Sequence, residues 1–403
     1  MGKIYSKALN ETINAERLIG SVNGKNKGPT LIFTGGIHGN EPAGVFALKE
    51  FIGELENLQD KLSGNVYAVS GNLWALEREE RFDKQDLNRL WTKERMEKIL
   101  AGKHAELEHD EDTKQQLEIY YLLLDIIEKE EGPFFFLDLH TTSGPTMPFL
   151  TVNDTLLNRR FSLQYPVPII LGIEEFLDGP LLSFINYLGY IAIGFESGQH
   201  DEVSSIENHF AFSYISLVMT GCINKVDLPN FNKYYNLLAG YTINSQSIFE
   251  IIYRHEIKDG DEFKMNPGFT NFQNLTKGTE LALSNKIEIR SDRKGRIFMP
   301  LYQNQGNDGY FIVRKTPYFF LKFSAFLRRI KFDRVIAILP GVRWGSKNKK
   351  TLIIKRNIAR FFAKDFFHLL GYRSRMMDDK YMYAKNRESQ SLKKDYKDIK
   401  WFR

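Results

Sequence analysis

Four short segments hold residues whose types and spacing can do chemistry together: His38-Gly-Asn-Glu41, Asp86-Leu-Asn88-Arg89, Asp138-Leu-His140 and Gly194-Phe-Glu196. His38 and Glu41 are three positions apart, and Pro42 suits the first turn of a following helix. A strand-to-helix turn at this point would aim both side chains at one spot. His140 follows much later, at the end of another apolar run. Two imidazoles and one carboxylate with a fourth position open form a catalytic zinc set. Zinc in such a set lowers the pKa of a bound water from about 15.7 to about 7 and polarises a carbonyl. Taken singly, His38 and Glu41 read as helix caps and His140 as a core histidine. The coincidence of four segments favours the metal.

The remaining groups fit around that set. Arg81 and the Asn88-Arg89 pair lie in a polar, turn-rich stretch. A guanidinium grips a carboxylate through two parallel hydrogen bonds, and another can face an oxygen that gains negative charge. Surface pairing with Glu77, Glu79, Glu80 and Asp83 is the plainer account and suffices for Arg78. Glu196, between Gly194 and Gly198 at the end of an apolar strand, reads as a general base, because partial burial raises a carboxyl toward the useful range. Asp138 shares a strand face with His140 and would orient its ring or serve as a structural hydrogen-bond partner. Of the other six histidines only His200, just past Glu196, is near the set.

The elements expected to place these groups alternate in type. Leu31–Ile37, Asn65–Ser70, Phe134–Leu139, Met147–Val152, Val167–Leu171 and Tyr190–Phe195 are short β-rich runs. Between or after them lie helical patterns at Pro42–Asn57, Thr113–Glu130, Pro180–Leu188 and Val203–Thr220. That alternation predicts an α/β domain with a mixed or parallel buried sheet, whose ligands gather at strand ends. His38, His140 and Glu196 each close such a run. From about Ile243 the texture changes to short strands (Leu281–Leu283, Lys286–Ile289, Arg296–Met299, Tyr310–Val313), a small all-β module. Helices are expected over Phe319–Ile330 and Asn357–Leu370, and the end from about Asn386 reads as loosely ordered.

Composition sets the outer bounds. A chain of 403 residues with 42% hydrophobic content predicts two or three domains. No apolar run approaches the ~20 residues of a membrane span, and the N-terminus lacks an apolar leader. Cys222 is the single cysteine, which excludes an intramolecular disulfide and any thiolate-rich metal site and fits the cytoplasm. The net charge of +5 is unevenly spread. Residues 321–403 carry 23 Lys+Arg against 7 Asp+Glu, and the first 320 carry 32 against 43. The basic tail is expected to pack on its own acidic body; nucleic acid and anionic lipid are its lesser options.

These residues, in this order, resemble the succinylglutamate desuccinylase/aspartoacylase family, over roughly residues 30–320. The resemblance rests on Gly35-Gly-Ile-His-Gly-Asn-Glu-Pro42, Asp86-Leu-Asn-Arg89, Asp138-Leu-His-Thr-Thr-Ser143 and Gly194-Phe-Glu196. It implies a zinc-carboxypeptidase-like mixed sheet flanked by helices over residues 1–225. A small barrel-sandwich-like β domain (240–320) would cover the active site, and a basic extension (321–403) would follow. It also implies one zinc on His38, Glu41 and His140, Glu196 as base, and substrate binding by Arg81, Asn88 and Arg89. Tyr310 aligns with a tyrosine that reaches the substrate. The expected activity is cleavage of an N-acyl amino acid or similar small anionic amide. The alternatives are a carboxypeptidase-like peptidase and, last, a binding protein with a vestigial site. A homo-oligomer is compatible with all three. The chain departs from the family after Glu196, where it reads Ser-Gly-Gln-His200, and in the tail from Leu321.

Overall fold

In the computed structural model of the chain, residues 2–242, 247–336, 338, 340–345, 347–355, 369–376 and 380–402 are described. An 11-stranded sheet runs through the molecule. Its middle is parallel: Ser63–Ser70, Asn26–Gly35, Phe134–Thr142 and Ile191–Gln199 lie side by side in that order. Leu18–Asn23 closes one edge antiparallel to Ser63–Ser70. On the other side Phe149–Val152 runs antiparallel to Ile191–Gln199 and parallel to Ile169–Leu171.

The central strands are apolar on both faces because helices cover both. Leu31, Phe33, Phe135, Leu137 and Leu139 enter one core with Phe51 and Leu55 of helix Ala43–Glu56 and Phe212 and Ile215 of helix Val203–Thr220. The alternate residues Ile32, Phe134 and Phe136 enter a second core with Ile119, Leu123 and Leu181, from helices Glu111–Lys129 and Leu181–Leu188. The period-2 alternation of side chains thus sorts each strand between two cores. The helices fall within two residues of the spans expected from sequence.

The strands beyond residue 247 do not stand apart from this sheet. Ile248–Glu256 pairs parallel with Ile169–Leu171, and Asp308–Lys315, Gly295–Phe298 and Asn274–Leu275 continue the same sheet antiparallel. Phe263–Met265, Glu280–Ser284 and Ile287–Arg290 form a separate three-stranded sheet.

The tail begins with helix Tyr318–Arg329 and includes a four-stranded antiparallel sheet, in the order Val342–Trp344, Thr351–Lys355, Tyr381–Asn386, Tyr372–Met376. Most of the helix expected over 357–370 lies outside the described residues. The last segment, expected to be loose, is instead pinned to the body. The Tyr396 hydroxyl, fully buried, donates to the Phe134 carbonyl at 2.5 Å, and Trp401 Nε1 donates to the Met219 carbonyl at 2.7 Å. Arg328 and Arg387 both reach Asp154 Oδ2 at 2.7 Å. Among the described residues no helix is long and apolar enough to cross a membrane.

Candidate functional site

The loop after strand Asn26–Gly35 is held tightly enough to fix His38 and Glu41. A Cβ on Gly39 would lie 2.1 Å from the Ala75 carbonyl carbon, so only glycine fits there. The Gly39 amide also donates to the Arg81 carbonyl at 3.1 Å. Glu41 ends up buried between two imidazoles. Its Oε1 is 2.8 Å from His38 Nδ1, and its Oε2 is 3.1 Å from His140 Nδ1 and accepts from the Thr141 amide at 3.0 Å.

The far nitrogen of each ring faces another carboxylate. His140 Nε2 is 2.7 Å from Asp138 Oδ2, and His38 Nε2 is 3.1 Å from Asp86 Oδ1. Arg81 Nη2 also lies 2.9 Å from His38 Nε2, but that nitrogen cannot accept from Arg81 while donating to Asp86. The tautomer with its proton on Nε2, donated to Asp86, leaves Nδ1 free as a ligand atom.

One ligand atom from each of His38, Glu41 and His140 lies within 4.8 Å of the others, and all three residues are buried. Two Nδ1 atoms and a carboxylate converge, with each ring oriented by a second carboxylate. That donor set fits zinc. Burial opposes charge on Glu41, yet the facing imidazoles hold its carboxyl well below the usual range. For His140 burial is outweighed by Asp138 and Glu41, which push the imidazole well above its usual value.

Glu196 lies beside His140 in the parallel register of the two strands. It is buried, and its Oε2 has no hydrogen-bond partner. Burial pushes its carboxyl up to about 8; the neighbouring His140 opposes the shift and Glu41 adds to it. Gly198 just beyond it has φ +151° and lies where a Cβ would meet Ser205 Oγ at 2.5 Å. Glycine is therefore needed to turn the chain out of this strand.

Arg81, Asn88 and Arg89 line the same cavity as His38, Glu41, His140 and Glu196, a space of about 130 Å³. Arg81 Nη1 is 3.2 Å from Glu41 Oε1 and its Nη2 is 3.3 Å from Asp86 Oδ2. Asp86 caps the short turn Leu87–Arg89 by accepting from the Asn88 amide at 2.8 Å. Asn88 Oδ1 accepts from the Leu181 amide at 2.9 Å, and Arg89 Nη2 reaches Asp308 Oδ2 at 2.8 Å.

Tyr310 is not brought to this cavity. Its ring stacks on His255 at 5.1 Å within a cluster that includes Met265, Leu281 and Ile312. Phe311 and Val313 point to the other face of the strand, and Phe311 lines the cavity. A one-residue step along a strand reverses the face, so the alignment that suggested Tyr310 selects the wrong side of the pleat.

Sequence reasoning gave no role to several residues found here. Asp86 holds a ring, Asp308 engages Arg89, and Gln303 and Gln305 come from the loop over the site. Gln303 Oε1 accepts from Asn40 Nδ2 at 2.9 Å and lies 3.0 Å from His200 Nε2; Gln305 Oε1 accepts from the Arg81 amide at 3.0 Å. Asp86 had a signal, because it opens one of the four segments. Amides in a Gln/Asn/Gly loop carry none.

Residues 27–163 match the family described as succinylglutamate desuccinylase/aspartoacylase catalytic domain. Similar curated relatives include a succinylglutamate desuccinylase of Pseudomonas paraeruginosa, 30% identical over 120 residues, covering 30% of this chain and 33% of that protein. A probable aspartoacylase of Acaryochloris marina is 30% identical over 129 residues, covering 32% and 40%. The matched stretches thus span about a third of these relatives' length. A solved succinylglutamate desuccinylase/aspartoacylase from Rhodobacter sphaeroides shares the fold at TM-score 0.54 and 14% identity, covering 73% of this chain and 88% of that one.

Proposed function

From the premise that this chain belongs to the succinylglutamate desuccinylase/aspartoacylase family, we propose that it is a zinc-dependent deacylase. It would cleave an N-acyl amino acid or a similar small anionic amide to acid and amine. The observation that carries this reading is the meeting of His38 Nδ1, Glu41 and His140 Nδ1 beside a buried carboxylate, Glu196, with an unpartnered oxygen. Zinc held by those three would supply a Lewis acid and a water of lowered pKa.

The chain's own groups supply the remaining chemistry. Glu196 takes the proton of the attacking water on its free Oε2 and delivers it to the leaving amine. Arg81, next to Glu41, presents positive charge where the carbonyl oxygen becomes negative. Arg89 and Asn88 hold the substrate carboxylate. With Nη2 on Asp308 and Nη1 on the Asn88 carbonyl, Arg89 is held in place as it does so. Asp138 and Asp86 keep the two imidazoles in the tautomer that leaves Nδ1 free. The small volume of the cavity favours short substrates over peptides.

We read residues 1–225 as the catalytic domain, 240–320 as the β region over its mouth and 321–403 as a basic extension. The single cysteine fits a cytoplasmic setting. The test is amine release from N-acetyl and N-succinyl amino acids by zinc-loaded protein. Cleavage of one such compound, lost on chelation, supports the reading; cleavage of peptides alone overturns it.

A further inference from the structure

Far along the chain from the metal ligands, helix Tyr318–Arg329 carries a feature the proposed hydrolysis does not use. Its inward side is Ser324, Leu327 and Arg328, all buried. On the opposite side Phe319, Phe323, Phe326 and Ile330 follow at i, i+4, i+7 and i+11, the spacing of one helical stripe. They are 71, 42, 55 and 52% exposed. The Phe319 and Phe323 rings lie parallel, 2° apart in plane and 6.3 Å between centroids. Clefts of about 620 and 710 Å³ flank the helix; Phe326 lines the first and Phe323 the second.

The charges around the stripe narrow the choice of occupant. Between Asp308 and Asp333 there is no acidic residue, while Arg314, Lys315, Lys322, Arg328, Arg329 and Lys331 are basic. Arg328 is turned inward onto Asp154 and Glu388, but Lys322 and Arg329 are exposed beside the stripe. A second copy docking through the same face would set this cationic fringe against itself, since a two-fold interface brings like patches together. A bilayer interface takes both parts. Aromatic rings enter the boundary between headgroups and acyl chains, and the cations reach lipid phosphates.

We propose that the Phe319–Phe323–Phe326–Ile330 face docks this protein on an anionic membrane surface, with Lys322 and Arg329 at the lipid phosphates. The test is co-sedimentation of the full chain with phosphatidylcholine vesicles, with and without phosphatidylglycerol. Binding that requires phosphatidylglycerol and weakens with salt is expected. The triple variant Phe319→Ser, Phe323→Ser, Phe326→Ser should lower partitioning at least about tenfold, with unchanged circular dichroism. The pair Lys322→Glu, Arg329→Glu should remove the dependence on phosphatidylglycerol. No sedimentation of the wild type with either vesicle would overturn the proposal. So would a wild-type dimer in light scattering that the triple Ser variant dissolves, since a second copy would then be the occupant.

Discussion

Replacing Glu196 with Gln keeps the shape of the side chain and removes its ability to take a proton. Few neighbours can substitute for it. Glu41 is engaged by both imidazoles and the Thr141 amide, and Asp138 is held by His140 and by the Thr34 hydroxyl at 2.5 Å. His200 sits between Thr141 and Gln303, and burial pushes its pKa down. General-base catalysis contributes about 10²–10⁴-fold. With no second base in place, the loss should fall near the upper end, about 10³–10⁴ in kcat, or roughly 4–5.5 kcal/mol in barrier.

The same change should stabilise the metal-free protein. In the folded state the Glu196 carboxyl lies at about 8, against about 4.3 in an unfolded chain. The folded state therefore binds more protons between those values, and the wild type loses stability as pH rises through them. Gln removes that penalty. The gain should be near zero at about pH 4, roughly 1 kcal/mol at pH 5 and roughly 4 kcal/mol at pH 7.5. Amine-release kinetics, zinc content and urea unfolding of chelated protein at two pH values measure all three quantities. Activity within tenfold of wild type, or a metal-free variant whose gain over the wild type is no larger at pH 7.5 than at pH 5, would refute the reasoning.

Three further outcomes are expected. Arg89→Lys should raise KM for an anionic substrate about tenfold with a smaller change in kcat, because a bidentate grip on carboxylate is lost; an unchanged KM would remove Arg89 from the binding role. Arg328→Met leaves Asp154 short of a buried partner and should cost about 3 kcal/mol in denaturant unfolding at pH 7. Burial opposes ionisation of Asp154, but Arg159, Arg328 and Arg387 hold its carboxyl far below the usual range, so this contribution is full above about pH 4 and declines only in stronger acid. Cys222 is buried and its thiol is pushed up to about 12 by burial, so an aromatic disulfide reagent should label it only after unfolding.

Much of the architecture could be read locally, because the central strands and their helices each carry their own period. The apolar runs of Phe134–Thr142 and Ile191–Gln199 stop at Leu139 and Phe195, just before His140 and Glu196, and that placement made the two visible as neighbours. What depends on distant pairing was not legible. The joining of Ile248–Glu256 to Ile169–Leu171 links segments about 80 residues apart with no local mark, so the later strands read as a separate module. Tyr310 failed for a smaller reason, since a motif alignment fixes position along a strand but not its face. The final segment read as loose because Tyr396, Trp401 and Phe402 are few among Lys and Asp. Those few rings nevertheless dock on the body, with Trp401 against Phe161 at 5.5 Å.

The central claim is that His38, Glu41 and His140 hold the metal of an amide-cleaving site. Its most direct test is to measure bound zinc and amine release together, on wild type and on His140→Ala, across N-acetyl and N-succinyl amino acids. The account predicts one zinc per wild-type chain. It also predicts cleavage of an acyl amino acid that chelator abolishes and zinc restores, and loss of both metal and activity in the variant. Full cleavage by zinc-free protein, or a variant that keeps its zinc and its activity, would contradict it.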